Sequence, residues 1–469
     1  MKNCGEEFAQ LDREFRFPFK LHNYQLEAVK EALPHSGWLF REKVGLGKTA
    51  ISLYLGLYRS IFNDVEQILI LCPPMLIDQW VSFLSQVEGI PECLVYRASP
   101  TERKKMDLTS SAVVIMSYNI FRLDFPRIEK WGRKRNLFVI GDELSLKSAN
   151  QTFKKFKLLL YRKARIDPYK DGPKHYFCAL NATPLSDRGQ IYWWSSIFRP
   201  DLYASLRLFS IQHVETCDHW GKPVKWRNTE EMDRNFDSFS SSPRNSGLEL
   251  PESVFTQIPY RLDPKHAKLY RSIADAEFAD LPEDAVQQMI EAMFSTLQRA
   301  VLLPADYGLD IRSPVLDIID QTLDQLDEED RLIIYTRHVR VSEMLCHHYP
   351  QAVAVFGGVA DRVKKESLRR FKAGEAELMI ANLDSLSKGQ NLQIANHTLF
   401  AELPFRSDMM TQACGRTARQ GQTRTCFFHI PIALKTIQTQ IYHKLLANDV
   451  DLRSFNRNKR TLKEFLGLD

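Results

Sequence analysis

The sequence predicts an α/β protein of two lobes, each built on a mostly parallel β-sheet flanked by helices. Three observations lead to this prediction: the length of the chain, two series of short apolar runs, and a polar stretch between the two series. The 469 residues exceed what one hydrophobic core usually fills, so two lobes of roughly 200 residues are expected. The hydrophobic fraction of 44% supplies material for both cores.

The first series consists of four apolar runs, each followed by a polar residue or a Gly/Pro break. Runs rich in β-branched and aromatic residues predict buried parallel strands. The runs are QILILCP at 67 to 73, AVVIMSY at 112 to 118, NLFVIGDE at 136 to 143 and HYFCALNATP at 175 to 184. Because open parallel sheets bind ligands at the carboxyl ends of their strands, the polar residues that end these runs are the first candidates for function.

A polar stretch at 215 to 258, rich in Ser, Asn and Pro, predicts a connection between the lobes. We therefore expect a first lobe at 1 to 214 and a second lobe at 259 to 469. The second series of strands is RLIIYTR at 331 to 337, AVAVFGG at 352 to 358, ELMIANL at 377 to 383 and HTLFAEL at 397 to 403.

Composition narrows the protein class but does not identify a partner. The net charge of +5 permits nucleic-acid binding through local patches without arguing for it. The eight cysteines include no C-x-x-C pair, so neither a zinc site nor a disulfide framework is indicated. The N-terminus lacks an apolar leader, and no stretch approaches the ~20 apolar residues of a membrane span, so a cytoplasmic protein is expected.

A phosphate-binding loop is indicated by Gly45-Leu46-Gly47-Lys48-Thr49. The glycines Gly45 and Gly47 would let backbone N–H groups surround phosphates, and Lys48 could reach the β and γ oxygens. The hydroxyl of Thr49 could ligate Mg²⁺, and the helical pattern that follows would favour an anion at its N-terminus. The alternative is an ordinary surface turn.

Two adjacent carboxylates, Asp142 and Glu143, end the third apolar run. In a phosphate-loop enzyme such a pair completes the site, with Asp142 holding Mg²⁺ and Glu143 activating the attacking water. A solvated acidic pair is the alternative, and the upstream Lys48 favours the catalytic interpretation. The two motifs together therefore predict a bound nucleotide with Mg²⁺.

A third candidate group is Arg416 with Arg419 in QACGRTARQGQ. Residues three apart share one face of a helix, so both guanidinium groups could point at the γ-phosphate across a cleft. The alternative is an exposed basic helix end.

Together these segments resemble the helicase motifs of superfamily 2, and their details are similar to the Snf2 family. The resemblance runs from about residue 20 to 445. Its segments are LHNYQ at 21 to 25, EKVGLGKT at 42 to 49, LCPPMLIDQW at 71 to 80, VVIMSYNIFR at 113 to 122, ALNATPLSD at 179 to 187, LELPESVFTQIPYRLDPKHAKLY at 248 to 270, LIIYTRHVRVSEML at 332 to 345, FGGVADRVKKESLRRFKAG at 356 to 374, SKGQNLQIANHTLFAEL at 387 to 403 and QACGRTARQGQT at 412 to 423.

The resemblance implies two RecA-like lobes with ATP in the cleft between them. It implies that Gln25 reads adenine and that Gly389 and Gln412 belong to the nucleotide site. It also implies that Ser117, Tyr118, Thr183, Ser387 and Lys388 contact nucleic acid.

Departures from the family pattern occur at Ser145, where the family has histidine, and at Asn181-Ala182-Thr183 in place of T-G-T.

A basic stretch at 154 to 174 suits phosphate contacts or is simply a solvated helix. The pair Trp193-Trp194 suits a helix core better than base stacking. A compact chain of this kind is expected in a bacterial or virus-infected cell.

The function predicted is that of an ATP-driven translocase that acts on double-stranded DNA and remodels DNA or protein–DNA complexes. Two alternatives stay open at this stage. One is a strand-separating helicase or the motor of a restriction system, and the other is a nucleotide-dependent DNA-binding module whose turnover has decayed.

Overall fold

The computed structural model of the chain divides into two compact units, Met1–Gly247 and Leu248–Asp469, called unit 1 and unit 2 below. The structure describes residues 4–42, 45–90, 92–144, 151–161, 172–185, 187–217, 223–241, 252–280, 287–386, 390–419 and 421–446.

Unit 1 is built on a parallel sheet of strand order β1-β6-β5-β2-β4-β3. The strands are β1 Gly37–Phe40, β2 Gln67–Cys72, β3 Leu94–Val95, β4 Val113–Ser117, β5 Leu137–Asp142 and β6 Tyr176–Leu180. The four apolar runs predicted as strands in this half are confirmed as β2, β4, β5 and β6, whereas the short β1 and β3 were not predicted.

Helices cover both faces of this sheet. Along β2, Ile68 and Ile70 contribute to one apolar cluster while Leu69 and Leu71 contribute to the other, because successive strand residues point to opposite faces. The helices of unit 1 are α1 Cys4–Glu14, α2 Asn23–Ala32, α3 Lys48–Phe62, α4 Ile77–Leu84, α5 Pro100–Lys105, α6 Tyr118–Leu123, α7 Phe125–Gly132, α8 Gln151–Leu160, α9 Gln190–Phe198, α10 Leu206–His213 and α11 Thr229–Asp237.

The predicted connection at 215 to 258 contains ordered elements of both units. An antiparallel pair, β7 Val214–Cys217 and β8 Pro223–Trp226, precedes α11 in unit 1, and strand β9 Ser253–Tyr260 joins the sheet of unit 2. The boundary between the units, at residues 247 and 248, falls inside this stretch. The predicted lobe limits at 214 and 259 stay predictions.

Helix α11 and the segment after it pack into unit 1. Met232, Phe236 and Phe239 are buried, and Phe239 stacks on Phe198 with ring centroids 5.5 Å apart. The Leu39 N–H donates to the Phe239 carbonyl at 3.0 Å, which places this segment beside strand β1.

Unit 2 is built on a second parallel sheet, of order β11-β12-β10-β13-β14-β9. Its remaining strands are β10 Leu332–Thr336, β11 Val353–Val355, β12 Leu378–Asn382, β13 His397–Phe400 and β14 Cys426–Ala433. Its helices are α12 Pro264–Ala279, α13 Gln287–Leu302, α14 Pro314–Leu323, α15 Val339–His348, α16 Asp361–Lys372, α17 Leu383–Leu386, α18 Ser407–Thr417 and α19 Ile437–Leu446. The predicted fold class, two mostly parallel sheets flanked by helices, is confirmed.

Within the described ranges, no helix combines the length and the apolar character needed to cross a membrane. All eight cysteines are free thiols. In the same ranges, no group of three or more His, Cys, Asp or Glu side chains is arranged to hold a metal ion.

Because Phe239 is fully buried against Phe198, Phe239→Ala should destabilise unit 1 by about 3–5 kcal/mol, the usual cost of emptying an aromatic core position. The urea midpoint of the unit 1 transition measures this loss. Arg234→Ala is the matched control, since the Arg234 side chain is 71% exposed and its removal should change stability by no more than about 0.5 kcal/mol. Equal midpoints for the two variants would contradict the packing of this segment.

Candidate active site

The candidate residues of unit 1 lie at the carboxyl edge of its sheet. Asp142 ends β5, and β5 has β2 on one side and β6 on the other. The phosphate-loop glycines follow β1, which is the neighbour of β6. The parallel topology therefore gathers segments that are far apart in sequence at one edge, where open α/β sheets bind ligands.

Gly47 has a backbone conformation that a side chain would disturb. Its φ is 73°, in the left-handed region, and a Cβ there would lie 2.4 Å from Nε2 of Gln25. Gly45 has a φ of 89°. Helix α3 begins at Lys48, immediately after this turn, so the loop delivers the chain to a helix N-terminus that can accept an anion.

Gln25 stabilises the phosphate loop by a hydrogen bond to its backbone. Its Nε2 donates to the Leu46 carbonyl at 3.2 Å, and its Oε1 accepts the His22 N–H at 2.8 Å. The Tyr24 hydroxyl donates to the same Leu46 carbonyl at 3.1 Å. Burial, followed by the charge of Glu42, raises the pKa of Tyr24 to about 12, which keeps this donor protonated. The predicted reading of adenine by Gln25 stays a prediction.

Lys48 and Thr49 occupy the first turn of α3. The Lys48 Nζ donates to the carbonyl of Glu42 at 2.6 Å, so the ammonium group lies over the start of the loop. Its charge also opposes the rise in the pKa of Asp142 that burial causes, so the two groups interact electrostatically. Lysine and carboxylate are thereby brought to the same edge of the sheet, as the motifs predict.

Asp142 is held by two aromatic side chains. The indole Nε1 of Trp80 donates to Asp142 Oδ2 at 2.8 Å, and the Tyr118 hydroxyl donates to the Asp142 carbonyl at 2.9 Å. Burial, followed by the neighbouring charge of Glu143, raises the pKa of Asp142 to about 7, while Trp80 and Lys48 oppose this rise. A carboxyl group perturbed in this way is typical of a functional site.

Glu143 has a left-handed backbone, with φ of 50°. Its N–H donates to the Leu180 carbonyl at 3.0 Å, which ties it to the end of β6. A non-glycine residue in this region carries backbone strain, and such strain is concentrated at functional sites. Ser145, whose identity departs from the family pattern, lies outside the described residues.

The end of β6 also contacts this edge. Asn181 donates through Nδ2 to the Leu144 carbonyl at 3.2 Å, and its Oδ1 accepts the Thr183 N–H at 2.9 Å. Thr183 is partly buried, and Ser117 is buried with its hydroxyl accepting the Ile120 N–H as the cap of α6. The predicted nucleic-acid contacts of Ser117, Tyr118 and Thr183 stay predictions.

In unit 2, Arg416 and Arg419 influence each other electrostatically but do not lie on one helix face. Helix α18 contains Gln412 and Arg416 and ends at Thr417, so the expectation that Arg416 and Arg419 share a helix face is wrong. The Ala418 backbone leaves the helical region at ψ of 84°, which ends the helix before Arg419.

Arg419 nevertheless lies in a positive environment. Burial, followed by the charge of Arg416, lowers the pKa of Arg419 to about 10. Burial, followed by the charge of Arg419, lowers the pKa of Lys372. Mutual repulsion of this kind favours binding of an anion nearby. Ser387, Lys388 and Gly389 lie outside the described residues, as does Gln420 of the motif.

Two further expectations concern lysines and tryptophans. In the basic stretch, Lys154 is exposed, Lys155 donates to the Arg122 carbonyl at 2.7 Å and Lys174 donates to the Gly132 carbonyl at 2.6 Å. Residues 162 to 171 of that stretch lie outside the described residues. The core interpretation of the tryptophan pair is confirmed, since Trp194 is buried and Trp193 packs against the same cluster.

Comparison with known proteins gives the family context of these motifs. Residues 314–421 match the helicase conserved C-terminal domain. The chain is similar to an uncharacterised ATP-dependent helicase, MG018 of Mycoplasma genitalium, with 23% identity over 90% of this chain and 41% of that protein. It is similar to the ATP-dependent helicase YqhH of Bacillus subtilis, with 22% identity over 92% of this chain and 78% of that protein. A third relative is the human DNA annealing helicase and endonuclease ZRANB3, with 22% identity over 92% of this chain and 40% of that protein.

Over most of its length the chain is similar to proteins that are named ATP-dependent helicases. The resemblance predicted from the motifs is thereby confirmed. Solved structures of the Sulfolobus solfataricus SWI2/SNF2 ATPase core, one of them in complex with dsDNA, align over 97% of this chain and 96% of theirs, at 20% and 17% identity and TM-scores of 0.43 and 0.41. The chain spans less than half the length of MG018 and ZRANB3.

Trp80 and Asn181 were not singled out for the site before the structure. Trp80 closes the LCPPMLIDQW segment, so the family pattern marked the residue without giving its partner. The polar side chain of Asn181, directly after an apolar run, was the available signal for its contact with the end of β5.

The raised pKa of Asp142 predicts that Asp142→Asn stabilises the metal-free protein at pH 8. The folded-state pKa of about 7 exceeds the ordinary 3.8, so folding disfavours the charged carboxylate, and this penalty is complete above pH 7. As pH falls from about 7 toward 3.8, the advantage of the variant should shrink by about 1.4 kcal/mol per pH unit. Urea unfolding in EDTA across this range measures it, and an advantage that is constant with pH would contradict the assignment.

Proposed function

We propose that this chain hydrolyses ATP with Mg²⁺ and uses the energy to translocate on double-stranded DNA. The observation that carries the proposal is the convergence of Lys48, Asp142 and Glu143 at one edge of the sheet of unit 1. A surface turn and a solvated acidic pair would have no reason to meet there, because their segments are separated by roughly a hundred residues of chain.

The residues of unit 1 fit a nucleotide with its metal. Gly47 leaves no room for a side chain against Gln25, and its positive φ lets the loop turn into the N-terminus of α3. Thr49 and Asp142 supply the oxygen ligands that Mg²⁺ prefers. Mg²⁺ bound there would neutralise charge on the phosphate oxygens.

For hydrolysis, Glu143 is the general base in this proposal. Glu143 has a left-handed backbone, and the carboxylate of Asp142 is held by Trp80, so the two adjacent carboxylates can take different roles. Lys48 binds phosphate oxygens with its ammonium group. Arg416 and Arg419 of unit 2 stabilise the transferred phosphoryl charge, a role worth ~10³ to 10⁵ in rate in related chemistry.

The DNA part of the proposal rests on the resemblance to Snf2 motifs and on relatives that include a protein named a DNA annealing helicase. A strand-separating helicase and a restriction-system motor remain the enzymatic alternatives. A decayed DNA-binding module is disfavoured, because the chain retains Lys48, Asp142, Glu143, Arg416 and Arg419.

The catalytic roles predict two distinguishable phenotypes. Lys48→Ala should weaken ATP binding because the ammonium contact with the phosphates is lost. Glu143→Gln should bind ATP normally yet hydrolyse it very slowly, because the amide cannot accept a proton from water. Nucleotide affinity and single-turnover rate, measured side by side, separate these effects, and wild-type turnover in either variant would refute the site.

Translocation on duplex predicts how DNA stimulates hydrolysis. ATPase rates should rise with duplex DNA at least as much as with single strands, and the rise should weaken with salt because the contacts are to phosphates. A triplex-displacement assay should detect movement while a forked duplex stays paired. Stimulation by single strands alone, with efficient unwinding of the fork, would replace the translocase by the helicase alternative.

A further inference from the structure

The end of strand β5 is gripped by aromatic side chains from both faces of the sheet. Trp80 belongs to α4 and to the apolar cluster on one face, and Tyr118 begins α6 and packs against the cluster on the other face. Both side chains direct a proton donor at Asp142, one to its carboxylate and one to its carbonyl.

The two contacts fix different parts of Asp142. The bond from Trp80 to Oδ2, at 2.8 Å, orients the carboxylate. The bond from Tyr118, at 2.9 Å, fixes the backbone directly before the bend at Glu143. The Trp80 side chain is itself anchored, since it is only 2% exposed.

Apolar packing alone does not explain this placement of Trp80. Trp131 offers a comparison within unit 1: it is also buried, and its Nε1 donates to Oε1 of Gln67 at 3.0 Å. Gln67 begins β2, at the opposite edge of the sheet from Asp142. Trp80 and Trp131 are both buried and both donate a hydrogen bond to a side chain, but only the acceptor of Trp80 belongs to the candidate site.

We propose that Trp80 and Tyr118 are positioning residues that hold Asp142 ready to bind Mg²⁺. This inference rests on the proposed function and deepens it. Groups that orient a metal-binding carboxylate commonly change metal affinity by 10–100-fold when they are removed. The indole of Trp80 fixes the orientation of the carboxylate, and the hydroxyl of Tyr118 fixes the backbone directly before Glu143.

The test uses the full chain with Mn²⁺ as the probe, followed by electron paramagnetic resonance in the presence of ADP. Trp80→Phe keeps an aromatic ring but removes the N–H donor, and it should lower Mn²⁺ affinity by about 10–100-fold. The affinity for a fluorescent ADP analogue in EDTA should stay within about twofold of wild type, because no nucleotide contact is removed. Hydrolysis should lose kcat with little change in KM.

Trp131→Phe is the matched control, since it removes another buried indole donor from the same unit. It should leave Mn²⁺ affinity unchanged even where it lowers thermal stability as much as Trp80→Phe does. Equal Mn²⁺ affinity in Trp80→Phe and wild type would overturn the proposal. Parallel loss of Mn²⁺ and metal-free ADP affinity would also overturn it, by indicating general damage.

Tyr118→Phe decides the question if Trp80→Phe does not fold, because it removes one hydroxyl and no ring atom. Reduced Mn²⁺ affinity with unchanged metal-free ADP affinity supports the proposal, and unchanged Mn²⁺ affinity overturns it. Wild-type protein that binds neither the ADP analogue nor Mn²⁺ with ADP would contradict the proposed function itself. That outcome is distinct from normal wild-type binding that the variants fail to alter.

Discussion

Burial of both faces of the sheet is the constraint on which unit 1 depends. Each inner strand must present apolar side chains in both directions, as Ile68 and Leu69 do on β2, so polar chemistry is confined to the strand ends. The carboxyl ends of β1, β5 and β6 then supply the phosphate loop, the acidic pair and Asn181 to one edge. The same packing that stabilises the unit therefore determines where its chemistry can occur.

The acidic pair Asp142–Glu143 lowers the stability of unit 1. Placing Asp142 beside Glu143 in a partly buried position disfavours its charged form, and the left-handed backbone at Glu143 adds strain. Natural proteins accept such local penalties where a site needs them, and stability is supplied by the rest of the fold. The hydrogen bond from Trp80 stabilises the charged form of Asp142 and so offsets part of this loss of stability.

Local sequence patterns predicted most of the strands, but they could not predict contacts between residues that are distant in sequence. Four apolar runs in each half became strands, because a run of β-branched and aromatic residues needs only its own neighbours to be recognised. The short β1, GWLF, offered too few residues for that. The spacing of Met232, Phe236 and Phe239 did carry a helical signal inside a polar stretch. The contact of Trp80 with Asp142 spans 62 positions and depends on β2 and β5 being neighbours, which no local pattern encodes.

The segment after α11 joins two parts of the molecule that are remote in sequence. Arg41 donates from Nε to the Ser241 carbonyl at 2.6 Å and contacts Asp237, while its own N–H donates to the Ser241 hydroxyl. The residue after Arg41 is Glu42, whose carbonyl accepts Lys48. A shortened chain that ends near residue 230 would thus lose the outer neighbour of β1 and loosen the root of the phosphate loop. Any isolated first unit prepared for study should extend through Ser241.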